Sequence, residues 1–485
     1  MKNSLKKDFN RRLAWHNNRS SAVFPIFSSK KTKFYIVFQN YWRWKNNFKN
    51  IFVILRIRDV NGETISTSNI KIKDHNEILV NDFFDNTNFS EGTAEIEIFS
   101  ESNLGFPFPA ILAFYKTGKE ISVVHSAGRL LNSNEKFDVN YWKESNFLVN
   151  FSDYFSPFVS LFFGQLVPKS SVFKFSVVNF ENNKTILKKS IQFSALPFGA
   201  KTFYLKKYLL KKDLKKIKSK KVFIIFETNI EGVFGRFVVG NFHSKSSHHF
   251  VTHSFQYINH EDEDSIGSEK GKISTFLTIF NQRPLKVCAT SYPTNAKSKL
   301  NLKTYCGKLD EVLQKKEEKI SLITGGIEAK GFNYSISEDK IVKLVSIQNS
   351  PSRINVNYNF SLKNSTHPSD LATGFKSRIY PPKKSFWGSG VALNNFETKL
   401  FFRNMSHNPK KTNKIKCKIL IWNSNKKISK SLTIKPESCK VIDLSFFNEK
   451  DSFFSWKVIA DESNLDVFWV SYNKKSGALC AEHSF

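Results

Sequence analysis

Glu101-Ser102-Asn103-Leu104, followed by His125-Ser126, decides the reading of this chain because the pair recurs. Glu227-Thr228-Asn229-Ile230 precedes His253-Ser254, and Glu462-Ser463-Asn464-Leu465 precedes His483-Ser484. The Asn-to-His gaps are 22, 24 and 19 residues. Two signals that agree in kind and in spacing point to one supersecondary unit used several times. Upstream of the first copy, Ile51 to Arg58 is a β-rich apolar run, Asp59-Val60-Asn61-Gly62-Glu63 carries an Asn-Gly turn, and Thr64 to Lys73 alternates, which predicts a hairpin. Ala94-Glu95-Ile96-Glu97-Ile98 alternates with period two into the Glu-Ser-Asn corner. Ala110 to Tyr115 then returns through Lys116-Thr117-Gly118-Lys119 to His125. Seven short strands with turns about every ten residues predict an antiparallel sandwich.

The other copies follow the same order. In the last, Ile415, Cys417, Ile419 and Ile421 alternate with lysines, the pattern of a half-buried strand. In the second, an insertion from Leu209 to Lys221 places Leu210, Leu214 and Ile217 at helical spacing among lysines. The third is degenerate. Counting 24 residues from Asn349 reaches Thr373 where a histidine would stand, and Leu309, Val312 and Leu313 predict a short helix. The expectation is an all-β chain of four tandem antiparallel β-sandwich repeats, the third degenerate, with short helical insertions. A basic arm occupies 1–32, and the units span 33–150, 151–262, 263–383 and 384–485. The strand rhythm resembles the immunoglobulin-like and fibronectin-like tandem repeats of bacterial surface and phage proteins, without their inter-sheet cysteine pair and its Trp. That resemblance implies an architecture and leaves function to the sites.

The 485 residues include 49 Phe and are 40% hydrophobic, enough for several cores. The net charge of +32 favours anionic partners. Yet Lys outnumbers Arg about five to one, and the abundance of Phe, Asn and Ile fits A/T-rich coding, in which charge keeps a large β-protein soluble. Five cysteines, odd in number and in no Cys-x-x-Cys arrangement, argue against a disulfide framework or a zinc ribbon. Neither a Sec-type signal peptide nor a membrane span is expected, since no apolar h-region follows Met1 and no eighteen apolar residues run together. The default location is the cytoplasm; export by another route or release in a virion leaves the same sequence trace. The sequence leaves the oligomeric state open.

Candidate sites are few. A hydrogen-bonded clasp is expected within each unit, pairing Glu101 with His125, Glu227 with His253 and Glu462 with His483. A metal would draw on His243, His249 and His253, with His248, His260 and the acids of 261–264 nearby. Lys206, Lys207, Lys211, Lys212, Lys215, Lys216 and Lys218, with Lys220 and Lys221, form the densest basic window and the expected anion site. Arg11, Arg12, Trp15, His16 and Arg19 in the arm, and Tyr41-Trp42-Arg43-Trp44-Lys45, interleave rings with bases in the manner of surfaces that stack on sugars or nucleobases. Nucleophile-elbow, phosphate-loop and dinucleotide motifs are absent from the sequence, so no cofactor is expected. These observations favour a non-enzymatic binding or scaffolding protein for an anionic or carbohydrate-rich partner. The alternatives are a polysaccharide-active enzyme with a His/Glu or metal site in one sandwich, and a nucleic-acid-binding protein.

Overall fold

The structure is a computed structural model. It describes residues 17–256 and 384–485 apart from short connecting stretches; of 274–376 it describes the strands, with side chains at 284–286 and 357–371. The described residues are mostly strand with few helical turns, as the all-β reading expects.

The first unit contains β1 (Arg19–Ile26), β2 (Thr32–Gln39), α1 (Tyr41–Asn46), β3 (Ile51–Asp59), β4 (Thr64–Ile70), β5 (His75–Leu79), β6 (Gly92–Ser100), β7 (Ile111–Thr117) and β8 (Glu120–His125). Its two antiparallel sheets run β1-β6-β3-β4 and β5-β2-β7-β8. After β9 (Arg129–Leu130), the second unit contains β10 (Trp142–Asn146), β11 (Phe155–Phe162), β12 (Ser171–Asn179), β13 (Thr185–Phe193), β14 (Ala200–Tyr204), α2 (Lys211–Ile217), β15 (Val222–Thr228), β16 (Val233–Phe234), β17 (Val238–His243), β18 (His248–His253) and β19 (Phe255–Gln256). Its sheets run β13-β12-β15-β10-β19 and β14-β11-β17-β18.

The third unit contains β20 (Ser274–Ile279), β21 (Lys286–Pro293), β22 (Lys299–Cys306), β23 (Ser321–Thr324), β24 (Phe332–Asn333), β25 (Lys340–Gln348), β26 (Arg353–Ser361) and β27 (Ser369–Lys376). The fourth contains β28 (Ser385–Val391), β29 (Phe396–Asn404), β30 (Ile415–Trp422), β31 (Lys427–Ile434), β32 (Ser438–Asp443), β33 (Phe453–Ala460), β34 (Leu465–Asn473) and β35 (Leu479–His483). Both repeat the strand order of the first unit in both sheets. The third unit is therefore degenerate in sequence signal and regular in topology. Its predicted helix near Leu309 lies outside the described residues, as do the arm residues Arg11, Arg12, Trp15 and His16 and the acidic stretch 260–264.

Each unit has eight main strands, one more than the turn rhythm suggests, and the extra one shifts the boundaries. β1 pairs with β6 inside the first sandwich, so residues 19–26 are part of it and not of an arm. β10 pairs with β15, so residues 142–146 open the second sandwich instead of closing the first. Both strands stand at the start of a unit, detached in sequence from the hairpins that give the repeat its signature. Pro25 inside β1 further weakens its strand signal.

The two sheets of a unit differ in burial. In β3 and β30 buried and exposed residues alternate, because one face meets the core and the other meets solvent. By contrast, β7, β8, β17, β18 and β34 are buried almost throughout. Their sheet is covered twice, by its own sandwich and by a neighbouring unit. The four last strands of the units make this contact. β8 lies against β18 and β35, and β27 lies against β35 and β18, so the four edges form a closed circuit and the sandwiches form a ring. Ring closure also hides four sheet edges that would otherwise be open to foreign strands.

The seams are built from different chemistry. Between the first and fourth units, Tyr35 and Phe114 pack on Phe453, and Gln39 Nε2 donates to the carbonyls of Gly388 (2.6 Å) and Trp456 (3.0 Å). Between the first and second, Phe27 stacks on His249 with ring centroids 3.9 Å apart, and Ser122 Oγ donates to the His249 carbonyl. Between the third and fourth, Tyr358 stacks on Phe468. Between the second and third, His367 stacks on Phe250 and its Nε2 accepts from Asn241 Nδ2.

Candidate functional site

The recurrent histidines meet at the centre of the ring. Each ends the last strand of its unit, and those strands converge, so His125 stands between His253 and His483 with ring centroids 4.5 and 4.6 Å away. Register carries Thr373 to the equivalent place on β27, opposite Val356 as His483 is opposite Phe468. His253 Nδ1 donates to the Ser254 carbonyl and His483 Nδ1 to the Ser484 carbonyl, which fixes the proton on Nδ1 in both because a carbonyl only accepts. The serines serve a separate repeated purpose. Ser126, Ser254 and Ser484 each donate their backbone N–H to the strand before, at Ile111, Phe237 and Val467, and so latch the hairpin shut.

The clasp is thus not formed inside the units. His125 Nδ1 lies 3.0 Å from Glu482 Oε2 of the fourth unit, while Glu101 accepts from Asn50 Nδ2 and Glu227 pairs with Lys143. Glu462 sits at the equivalent corner of the fourth unit. The reason is layering. The Glu-Ser-Asn corner ends a strand of one sheet, and the histidine ends the edge strand of the other, with stacked sheets about 10 Å apart. The corner asparagines do the local work: Asn103 Oδ1 accepts from Asn17 N, and Asn229 Oδ1 from Val172 N.

Burial and the neighbouring His125, Arg236 and His483 hold the His253 imidazole well below its ordinary value. Burial alone would push Glu482 up, but the facing His125 and His483 outweigh it and keep the carboxyl below its usual range. Beside the same junction, Ser254 Oγ donates to Glu144 Oε2, and burial pushes Glu144 up to about 8.

His243, His249 and His253 are not brought together. His249 and His253 share a face of β18 but lie four residues apart, about 13 Å along a strand. His243 is opposite His248 in register and so belongs to the other face. Its Nδ1 meets Ser246 Oγ, whereas Tyr204 OH lies 2.9 Å from His249 Nε2.

The lysine window folds as expected into a short helix, α2, preceded by a 3-10 turn at Leu205–Tyr208. Ile217 enters the core, and Lys207, Lys211, Lys212, Lys215, Lys216, Lys218, Lys220 and Lys221 are exposed. Lys206 Nζ instead donates to the carbonyls of Ser152 and Asp153. Arg19 is also structural: its guanidinium binds Glu95 and Glu97.

A cleft of about 1220 Å³ opens elsewhere, between the first and fourth units. One wall is α1 with the β4–β5 connection, and the other is the β30–β31 hairpin. α1 is held by Asn40, whose side chain accepts from Arg43 N, and is ended by Asn47 in a left-handed conformation. It buries Trp42 in the core and turns Arg43, Trp44 and Lys45 into the cleft. Lys71, Lys73, Lys426, Lys427 and Lys457 complete seven cationic residues against two acidic ones, Asp74 and Glu77. Glu77 Oε2 accepts from Phe453 N, and Asp74 lies 4.0 Å from Arg43 with both side chains exposed. Trp422 joins Trp44 in the lining, and Lys457 Nζ sits 3.5 Å from the Trp44 ring centre. The sequence marks the Tyr41–Lys45 stretch but not the lysines of the facing hairpin, which lie more than 350 residues further on.

Among the described residues, no helix is long and apolar enough to cross a membrane. No family model matches the chain, and no curated protein is similar to it. A solved structure described as a tetra-tandem repeat in the extending region of a large adhesion protein aligns with 90% of this chain and 91% of its own, at 8% identity and a TM-score of 0.10, a likeness that carries no argument.

Proposed function

We propose that the chain is a non-enzymatic binding protein that takes an anionic polysaccharide into the cleft between its first and fourth sandwiches. The observation that carries this reading is the cleft's lining, seven cations against two carboxylates with two indoles among them. Lysines arrayed along a cleft offer flexible point charges to a polymer of repeated anionic groups. Indoles supply flat apolar faces for sugar rings. The exposed lysines of α2 offer a second basic surface on another unit, and the experiment separates the two. Retention on heparin should fall at least tenfold when Lys71, Lys73, Lys426 and Lys427 are all changed to Gln, and should weaken as salt rises past about 0.15 M, where screening acts within about 8 Å. The quadruple Gln variant at Lys211, Lys212, Lys215 and Lys216 should retain most of the binding. Equal loss in both variants, or tighter binding to duplex DNA than to heparin, would overturn the reading in favour of diffuse charge or nucleic acid.

A further inference from the structure

We infer that the centre of the ring is a transition-metal site, in which His125, Glu482 and His483 bind one divalent ion of the zinc class and thereby fasten the first sandwich to the last. Each of the three offers one ligand atom, and these atoms lie within 4.8 Å of one another. Glu482 divides its carboxylate between the two rings: Oε2 is 3.0 Å from His125 Nδ1, and Oε1 is 3.7 Å from His483 Nε2. His483 Nδ1 donates to the Ser484 carbonyl, which leaves Nε2 as the ring nitrogen that can bind a metal; it faces Glu482 Oε1, which also accepts from the His483 backbone N–H. A divalent cation seated among the two rings and the carboxylate would take the place of the protons between them. The carbonyl–His arrangement is also the outer shell that orients metal-bound imidazoles.

Ligands at 2.0–2.2 Å from zinc stand roughly 3.3 Å apart, so the cluster needs a contraction of up to about 1.5 Å and the loss of the proton between His125 and Glu482. His253, with its ring 4.5 Å from that of His125, borders the cluster. Two imidazoles and a carboxylate suit zinc, cobalt or nickel and not a hard ion such as calcium. The ligands come from units that are adjacent in the ring and more than 350 residues apart in sequence, so the ion acts as a cross-link between them.

The test uses the full chain stripped with EDTA and titrated with Zn2+ and with Co2+. One Zn2+ per chain should bind, the Co2+ form should show the visible bands of a tetrahedral or five-coordinate site, and the thermal midpoint should rise with added Zn2+. His483→Gln, at the most exposed member of the cluster, should lower Zn2+ affinity at least about 100-fold, since even outer-partner losses cost 10–100-fold. His243→Gln, outside the cluster, should leave affinity unchanged. Binding that survives in His483→Gln, or the absence of stoichiometric Zn2+ and of Co2+ bands in the folded wild type, would overturn the assignment. The heparin measurement is independent of this one, because no ligand atom belongs to the cleft.

Discussion

At the scale of single residues, the interior tolerates ionisable groups by choosing their protonation state. Glu144 is buried, accepts from Ser254 Oγ, and has its carboxyl pushed up to about 8 by burial. A carboxyl whose folded value lies above its unfolded one gives stability that is present at low pH and lost as pH rises through the folded value. Glu144→Gln keeps an acceptor for Ser254 and removes the titration. Chemical denaturation should therefore show the variant gaining on the wild type from pH 5 to pH 9, by up to about 4 kcal/mol at 1.36 kcal/mol per pKa unit. Parallel pH profiles for the two proteins would remove Glu144 as the cause. The same scale shows where sequence reading ends. The repeat places His125 and His483 at matching points of their units, and the corner asparagines at theirs, because these positions answer to local hydrogen bonds. It does not reveal that Glu482 meets His125, since that contact depends on how one unit lies against another 357 residues away.

At the scale of elements, strands with one wet face are legible and strands with two dry faces are legible only in part. Alternation in Ile415 to Ile421 marks β30 and its orientation together. Val467-Phe468-Trp469-Val470 marks a strand, but an unbroken apolar run also says that both faces are covered. That is the one sequence signal of the ring, and it recurs in the hairpins β7–β8 and β17–β18. These hairpins carry the seams, so their packing tolerance is small. At Gly240 a Cβ would stand 1.8 Å from the Phe250 carbonyl oxygen on the facing strand, and backbone cannot yield as a side-chain tip can. Gly240→Ala should cost about 3 kcal/mol or more and loosen the second unit's contact with the first. Gly118, in the β7–β8 turn with φ of +58°, has nothing within 4 Å of its Cβ position. Gly118→Ala should cost only about 1 kcal/mol, the conformational term alone. Similar losses at the two sites, measured by urea denaturation, would show that strand contact is not what Gly240 protects.

At the scale of the whole molecule, the seams bury histidines, and this makes ring closure sensitive to acid. His248 Nδ1 faces Thr117 Oγ1 across the seam between the first and second units, His249 stacks on Phe27 there, and His367 meets Asn241 between the second and third. Burial first, and then the neighbouring imidazoles, hold His248 down to about 3 and His249 well below its ordinary value; burial and His243 hold His367 to about 4. A histidine whose folded value lies below its unfolded one near 6.5 gives stability that is present above 6.5 and lost as pH falls toward the folded value. Two buried carboxyls oppose this, Glu144 and Asp370, the latter pushed up to about 7 mainly by burial and then by Glu482. With His253 at the ring centre also held down by burial and its neighbours, four buried histidines stand against two carboxyls, so opening takes up protons as pH falls from 6.5 to 4.5. Above pH 7 only the carboxyls titrate, so stability is greatest near pH 6.5 and falls on both sides. The histidine losses are concentrated at unit contacts, whereas each sandwich keeps its own core, so acid should open the ring before it melts the strands. X-ray scattering should give a radius of gyration close to the compact value of about 23 Å near pH 6.5 and a larger one near pH 4, with the far-ultraviolet β-sheet signal retained at both. Double replacement of His248 and His367 by Gln should shift the expansion to lower pH. Expansion and loss of β signal at the same pH in both proteins would mean that the ring and its sandwiches are one cooperative unit, and that the seams are not where acid acts first.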